Sequence, residues 1–239
     1  MIWFINLLPP LSMKPTVLKR MFLPALLAIG MSAPAAAFAG TGDIALGVKG
    51  GTAGIGGEVT IGLIDNLNFR TGYNFFDYDG NATESDIDYD YKLKLRSMPL
   101  LVDLHPFGGG FRVTSGIFLN HNEVTGTAQP TGTTIDIGGT PYLVSQVGTL
   151  DAKIDFRKTA PYLGIGWGNA VDGGNPLSLS LDIGVMFQGT PKVSLDATGA
   201  LASNPAFQDS LDKEIADFKD DIENLKYYPI ISLGIAYKF

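Results

Sequence analysis

The sequence predicts an all-β fold, a transmembrane antiparallel up-and-down β-barrel of about eight strands with one amphipathic helix in its last outer loop. Three observations predict it. The chain opens with a segment patterned for export. Beyond that segment, stretch after stretch alternates large apolar residues with glycine, serine and charged residues. The connections between those stretches are short and long by turns.

The leader is read at residues 1–39. Met13 precedes a basic start (Lys14, Lys19, Arg20) and an apolar run from Met21 to Met31, and Ala37-Phe38-Ala39 fits a signal-peptidase site before Gly40. The run falls short of the roughly 20 residues of a membrane-spanning helix, and Pro24 and Gly30 interrupt it. Met13 is the expected start, with 1–12 an over-extended beginning. The barrel domain then covers 40–239. Losing the three leader cations leaves 14 basic against 24 acidic residues, a net charge of −10 that excludes nucleic acid as a partner. There is no cysteine, so neither disulfides nor a thiolate metal site is available. At 45% hydrophobic residues the chain is no disordered linker.

Strand by strand, the clearest alternation is the last. Tyr227, Ile231, Leu233, Ile235, Tyr237 and Phe239 share one face; Tyr228, Ile230, Ser232, Gly234, Ala236 and Lys238 share the other. Residues 177–187 repeat it, with Leu, Leu, Leu, Ile, Val and Phe against Ser, Ser, Asp, Gly, Met. A polar inner face and aromatic strand ends suit a barrel with lipid outside. Six further strands are expected near 43–50, 54–63, 67–77, 89–105, 110–125 and 150–168; most reach the roughly 9–11 residues that cross a bilayer. The even count lets the sheet close, which hydrocarbon demands of any backbone inside it. Within 89–105 the apolar positions switch parity below Ser97, which predicts a bulge near Pro99.

The connections at Asp65-Asn66, 106–109 and 169–175 are short and read as periplasmic turns, whereas 78–88, 126–149 and 190–225 are long and read as extracellular loops. Only the first outer hairpin, at 50–54, is short. In the last loop Asn204-Pro205 is a helix start, and Phe207, Leu211, Ile215, Phe218, Ile222 and Leu225 form one apolar stripe. The helix either packs on the barrel rim or lies as a lid over its mouth.

Alternation directs Lys49, Glu58, Arg70, Arg112, Asp182 and Lys238 into the lumen, joined by Lys92, Lys94 and Arg96 if the outer half of their strand keeps its register; Asp103 then also points inward below the bulge. An eight-stranded barrel is filled by its own side chains, so these charges either pair as packing or line a narrow polar pathway. Asp86, Asp88, Asp90, Asp217, Asp220, Asp221 and Glu223 form an acidic mouth at the outer end, where a negative field concentrates cations. The closing residues Leu233, Ile235, Tyr237 and Phe239 form the expected signal for barrel assembly machinery.

Gly51-Thr52-Ala53-Gly54-Ile55-Gly56-Gly57, Ala160-Pro161-Tyr162-Leu163-Gly164-Ile165-Gly166, Pro191-Lys192-Val193, Asn204-Pro205 and the charged helix leading to Lys226-Tyr227-Tyr228-Pro229 resemble the carbapenem-associated outer membrane protein (CarO) family across most of 50–239. The terminal Phe239 stands where that family ends in tryptophan. The resemblance implies an eight-stranded outer-membrane barrel of a Gram-negative bacterium that admits small basic amino acids such as ornithine and bears on carbapenem susceptibility.

No enzyme is expected. His121-Asn122-Glu123 has no hydroxyl two residues away, and neither histidine belongs to a visible nucleophile–base–orienter set. The glycine-rich stretches feed no helix and do not complete a phosphate-binding pattern, so no cofactor or metal is expected. The expected partners are outer-membrane lipids, lipopolysaccharide, assembly machinery and small polar solutes. Two functions follow: a narrow channel for small polar or cationic solutes, or a closed barrel serving envelope integrity or binding through its outer loops.

Overall fold

The computed structural model describes residues 42–84, 87–172 and 176–239. The leader at 1–39 and Asp86 of the acidic mouth lie outside the described residues. No helix of the described residues is long and apolar enough to cross a membrane.

Eight strands close a ring. In spatial order they are β1 (Ile44–Gly51), β2 (Gly54–Ile64), β3 (Leu67–Glu84), β4 (Ile87–Leu104), β5 (Phe111–Asn120), β10 (Thr159–Trp167), β11 (Leu177–Phe187) and β13 (Tyr227–Lys238). Every neighbouring pair is antiparallel, and β13 returns to β1 from Ala45↔Lys238 to Gly51↔Ser232. The closure leaves no backbone edge in the ring. Outside it, large apolar side chains stay exposed on strand after strand, among them Val48, Ile55, Tyr73, Val102, Leu163, Leu179 and Leu233. A belt of that extent is out of place in water. Aromatic pairs sit at both ends: Phe107–Phe111, Phe111–Trp167 and Tyr237–Phe239 at the short-turn end, Phe187–Tyr227 at the long-loop end.

Beyond the long-loop end the sheet continues. The upper half of β4 pairs with β6 (Glu123–Pro130), β6 with β9 (Leu150–Asp155), and β9 with β12 (Lys192–Ala197). A small hairpin, β7 (Thr134–Ile137) and β8 (Thr140–Leu143), leads into the one-turn helix α1 (Val144–Val147). The helix α2 (Pro205–Asp221) follows β12. Asn204 caps α2, its Oδ1 accepting from Ala206 N at 3.0 Å and Phe207 N at 3.3 Å, and Pro205 occupies the first turn where a missing N–H costs nothing. Phe207, Leu211, Phe218 and Ile222 are buried, with Ile215 and Leu225 beside them, so the predicted stripe is the packing face.

This extension corrects several expectations. Segments 110–125 and 150–168 are not single crossings: each divides into a barrel strand (β5, β10) and an extension strand (β6, β9). Most of 78–88 and much of 126–149 is strand rather than loop, and 190–225 holds β12 as well as the helix. There is no bulge near Pro99. The β3–β4 pairing keeps one register from Leu67↔Leu104 to Glu84↔Ile87, skipping the rungs at Met98 and Pro99 without a shift, and the odd-numbered residues of β4 face inward throughout. What changes near Ser97 is the medium outside. Below it the outward residues are Met98, Leu100, Val102 and Leu104; above it they are Asp88, Asp90, Lys92, Lys94 and Arg96. A parity switch in hydrophobicity therefore marks the passage from an apolar exterior to an aqueous one.

Candidate functional site: a layered barrel interior

The inward faces stack into layers. Nearest the short-turn end, His105 is fully buried. Its Nδ1 lies 2.9 Å from Gly109 O and its Nε2 3.1 Å from Asn68 Nδ2, which also donates to Asn169 Oδ1 at 3.0 Å. The partners suit an Nδ1–H tautomer, donating to the carbonyl and accepting from the amide. The network joins three short turns and leaves the imidazole no free nitrogen.

Next comes an ionic layer in which Arg70 is central. Its two terminal nitrogens donate to Asp182 Oδ2 and Oδ1 at 3.0 and 3.1 Å, a bidentate pair. Nε stands 2.7 Å from Asp103 Oδ2, and Glu58 lies 3.4 Å away. Arg112 donates to Asp182 Oδ1 at 2.7 Å and to the Gly168 carbonyl. Thr114 Oγ1 donates to Asp103 at 2.6 Å, and Lys49 to Glu58 at 2.6 Å. Three cations thus meet three carboxylates with no net charge. Side-chain exposure is 2–6% for Arg70, Asp103, Asp182 and Arg112 but 11–12% for Lys49 and Glu58, so solvent reaches the pair at one side of the layer.

One or two inward positions toward the long-loop end lies an apolar layer. Leu101, Phe118, Ala160, Tyr162, Met186 and Ile230 pack together there, with Ala53 and Tyr228 against them. The Phe118 and Tyr162 rings meet edge to face, centroids 5.2 Å apart. Tyr162 fits because Gly164 and Gly184 stand under it: a Cβ on either would come 2.4 Å from its hydroxyl oxygen. Above the apolar layer are amides. Asn74 donates to Ser97 Oγ at 3.1 Å, Asn120 to Gln188 Oε1 at 3.3 Å, and Gln188 to the Leu225 carbonyl at 2.8 Å. The last bond ties the barrel to the segment after α2. Above the amides, α2 covers the inner face of the extension through Ile87, Tyr89, Ala128, Leu150, Ala152 and Leu195. That face is continuous with the lumen wall along β4, so the helix lies on the lumen side rather than on the outer rim.

Of the charges read as inward, Lys49, Glu58, Arg70, Arg112 and Asp182 meet in one cluster, together with Asp103. Lys238 sits at the short-turn end, 3.4 Å from Asp43 Oδ2 and 3.0 Å from Asp172 O. Lys92, Lys94 and Arg96 do not face the lumen. They project from the outward face of the extension, because the unshifted register gives the inward positions there to Tyr91, Leu93 and Leu95. Arg96 pairs with Asp77 at 2.6 Å and Lys94 lies 3.9 Å from Glu123. Of the acidic mouth, Asp88 and Asp90 are on that same outward face, while Asp217, Asp220, Asp221 and Glu223 are exposed on or just after α2. They are spread over two surfaces rather than gathered in a ring. His121 is exposed at the rim, its backbone N–H bonded to Arg96 O. Sequence reasoning missed the apolar and amide layers, since it sought charge alone; the signal was bulk opposite glycine, Tyr162 among Gly164 and Gly184. Among the described residues, no group of acidic or histidine side chains is arranged to hold a metal.

No family model and no curated protein matches the sequence. Solved structures do. The crystal structure of Acinetobacter baumannii CarO2 matches with a TM-score of 0.53 at 20% identity, over 82% of this chain and 98% of that one. Acinetobacter baumannii CarO matches with a TM-score of 0.53 at 18% identity, over 82% and 97%. The chain has a CarO-like fold.

Proposed function

We propose that this protein is an outer-membrane barrel of a Gram-negative envelope, closed at rest, whose extension and helix present a surface outside the cell. Its work is envelope integrity or binding. The observation that carries this reading is the lumen itself: ionic, apolar and amide layers fill it in succession, beneath a helix seated on the lumen side. Membrane placement is supported by the closed ring and its exposed apolar belt between two sets of aromatics. Refolded protein in planar bilayers should give no steady conductance above protein-free membranes, and proteoliposomes should take up ornithine no faster than empty vesicles. Steady conductance from the intact protein would overturn the closed reading.

A gated narrow channel for small polar or cationic solutes is the second reading, and a specific asymmetry favours it. The more accessible pair Lys49–Glu58 borders a stretch of small inward residues on its own side of the ring, Gly47, Ser180, Ser232, Gly234 and Ala236. Above Lys49 is a cavity with room for about one water, lined by Gly51, Ala53, Gly54, Asn74, Phe118, Ile230 and Ser232. A pathway, where one opens, runs along this stretch and not through Arg70. Because the chain has no cysteine, Ser180→Cys and Thr114→Cys give a direct test. Under the gated reading a small charged thiol reagent labels the first faster than the second, and Lys49→Ala raises conductance; equal labelling and unchanged conductance leave only the closed barrel.

A further inference from the structure

Register aligns the outward residues of the extension into rows across β3, β4, β6, β9 and β12. The row nearest the apolar belt reads Asp77, Lys94, Glu123, Asp155, Lys192, just above the Phe75–Arg96 pair. The next reads Asp79, Lys92, Thr125, Lys153, Ser194. The third reads Asn81, Asp90, Thr127, Asp151, Asp196, and beyond it come Thr83, Asp88 and Gln129. All five cations of this face, counting Arg96, lie in the proximal part. In the distal rows every charge is an aspartate.

The proximal cations are also incompletely satisfied. Glu123 serves two lysines, 2.6 Å from Lys153 and 3.9 Å from Lys94. Lys92 and Lys192 are exposed and form no ion pair with any described residue. Four carboxylates, Asp77, Asp79, Glu123 and Asp155, share these rows with the four lysines and Arg96, so the band is close to neutral rather than a positive patch; it differs from the wholly acidic distal rows by its ammonium groups with free donors. Successive rows are about 7 Å apart along a strand, or about 5 Å along the axis of a barrel whose strands tilt by about 35–45°, which puts Lys94 and Lys92 of β4 roughly 5–11 Å beyond the belt's edge. That is headgroup depth for a bilayer whose hydrocarbon ends at the belt.

Resting on the membrane-barrel reading, we propose that the proximal rows of the extension, with Lys92, Lys94, Lys153 and Lys192 as donors, bind the phosphates of the outer-leaflet glycolipid, lipid A. The banding has a physical reason. An anionic leaflet repels a protein whose mature chain is strongly acidic, and cations facing the headgroups offset that while the aspartates stay in water. Phosphate oxygens accept charge-assisted hydrogen bonds from several ammonium groups at once.

The test is lipid retention by folded protein in detergent, read by native mass spectrometry with bisphosphorylated lipid A, dephosphorylated lipid A or inorganic phosphate added. Wild-type protein should hold the bisphosphorylated lipid about tenfold or more tighter than a variant with all four lysines changed to glutamine, given several-fold attraction per lysine at an anionic surface. Asp90→Asn with Asp151→Asn and Asp196→Asn should not weaken it. Equal retention of the dephosphorylated lipid, or by the lysine-free variant, overturns the proposal. Displacement by millimolar inorganic phosphate overturns the lipid as the source. Failure of the protein to fold in detergent as a heat-modifiable barrel is a separate outcome, and it refutes the membrane reading on which the proposal rests.

Discussion

Arg70 is the side chain on which the ionic layer turns, since among the described residues it is the one cation that contacts all three of Glu58, Asp103 and Asp182. Buried ion pairs add little net stability, yet removing one partner strands the others. Arg70→Met should therefore cost about 3–5 kcal/mol in urea unfolding of the detergent-solubilised barrel. Adding Asp182→Leu restores charge balance between Lys49, Arg112, Glu58 and Asp103, and should recover much of the loss. A double variant no more stable than the single would show that the layer holds by geometry and not by balance. Gly184→Ala tests the apolar layer. Its Cβ meets the Tyr162 hydroxyl at 2.4 Å and the Leu163 carbonyl at 2.6 Å, so the expected cost is about 1–3 kcal/mol. Tyr162→Phe should relieve only the part due to the hydroxyl.

At the scale of elements, α2 packs on the extension and not on the lipid-facing belt, so its loss and the barrel's loss are separable. Phe207 and Leu211 are buried beneath it against Ile87, Tyr89 and Leu150. Phe207→Ala should cost the extension about 3–5 kcal/mol. Limited proteolysis would then cut within 190–225 while the eight-stranded ring keeps its heat-modifiable migration. The closing strand β13 carries a different demand. Ile235 is exposed on the lipid-facing side, opposite Val48 and Leu179. Ile235→Lys should destabilise the inserted barrel by about 2–4 kcal/mol at mid-bilayer depth, and deletion of Phe239 should lower the amount of assembled barrel in membranes. Unchanged assembly in both would remove β13 from the membrane face.

For the whole molecule the question is which layer closes it. Replacing 190–225 by a short turn removes α2 and the edge strand β12 but leaves all eight ring strands and the apolar layer. Such a variant should still conduct no ions in planar bilayers. Adding Phe118→Ala and Met186→Ala should open a conductance, because two of the largest inward side chains of that layer are then gone. Conductance from the loop replacement alone would make the helix the gate.

The ring was legible from the sequence because lipid outside and packed polar groups inside impose opposite chemistry on alternate residues. Residues 177–184 and 231–239 carry that contrast, whereas inward Met186, Tyr228 and Ile230 belong to the apolar layer; the stripe from Phe207 to Leu225 marked α2 in the same way. The inward direction of Lys49, Glu58, Arg70, Arg112 and Asp182 was likewise local information, a matter of parity. Parity failed where the solvent changed. Lys92, Lys94 and Arg96 alternate as faithfully as any lumen residue, but the apolar residues between them face the helix and not lipid. No local pattern distinguishes those two apolar surroundings. Which strands leave the ring for the extension, which carboxylate meets which guanidinium, and whether α2 lies inside or outside the wall depend on contacts between residues distant in the chain, such as Arg70 with Asp182 and Gln188 with Leu225. Only the closed tertiary structure decides them.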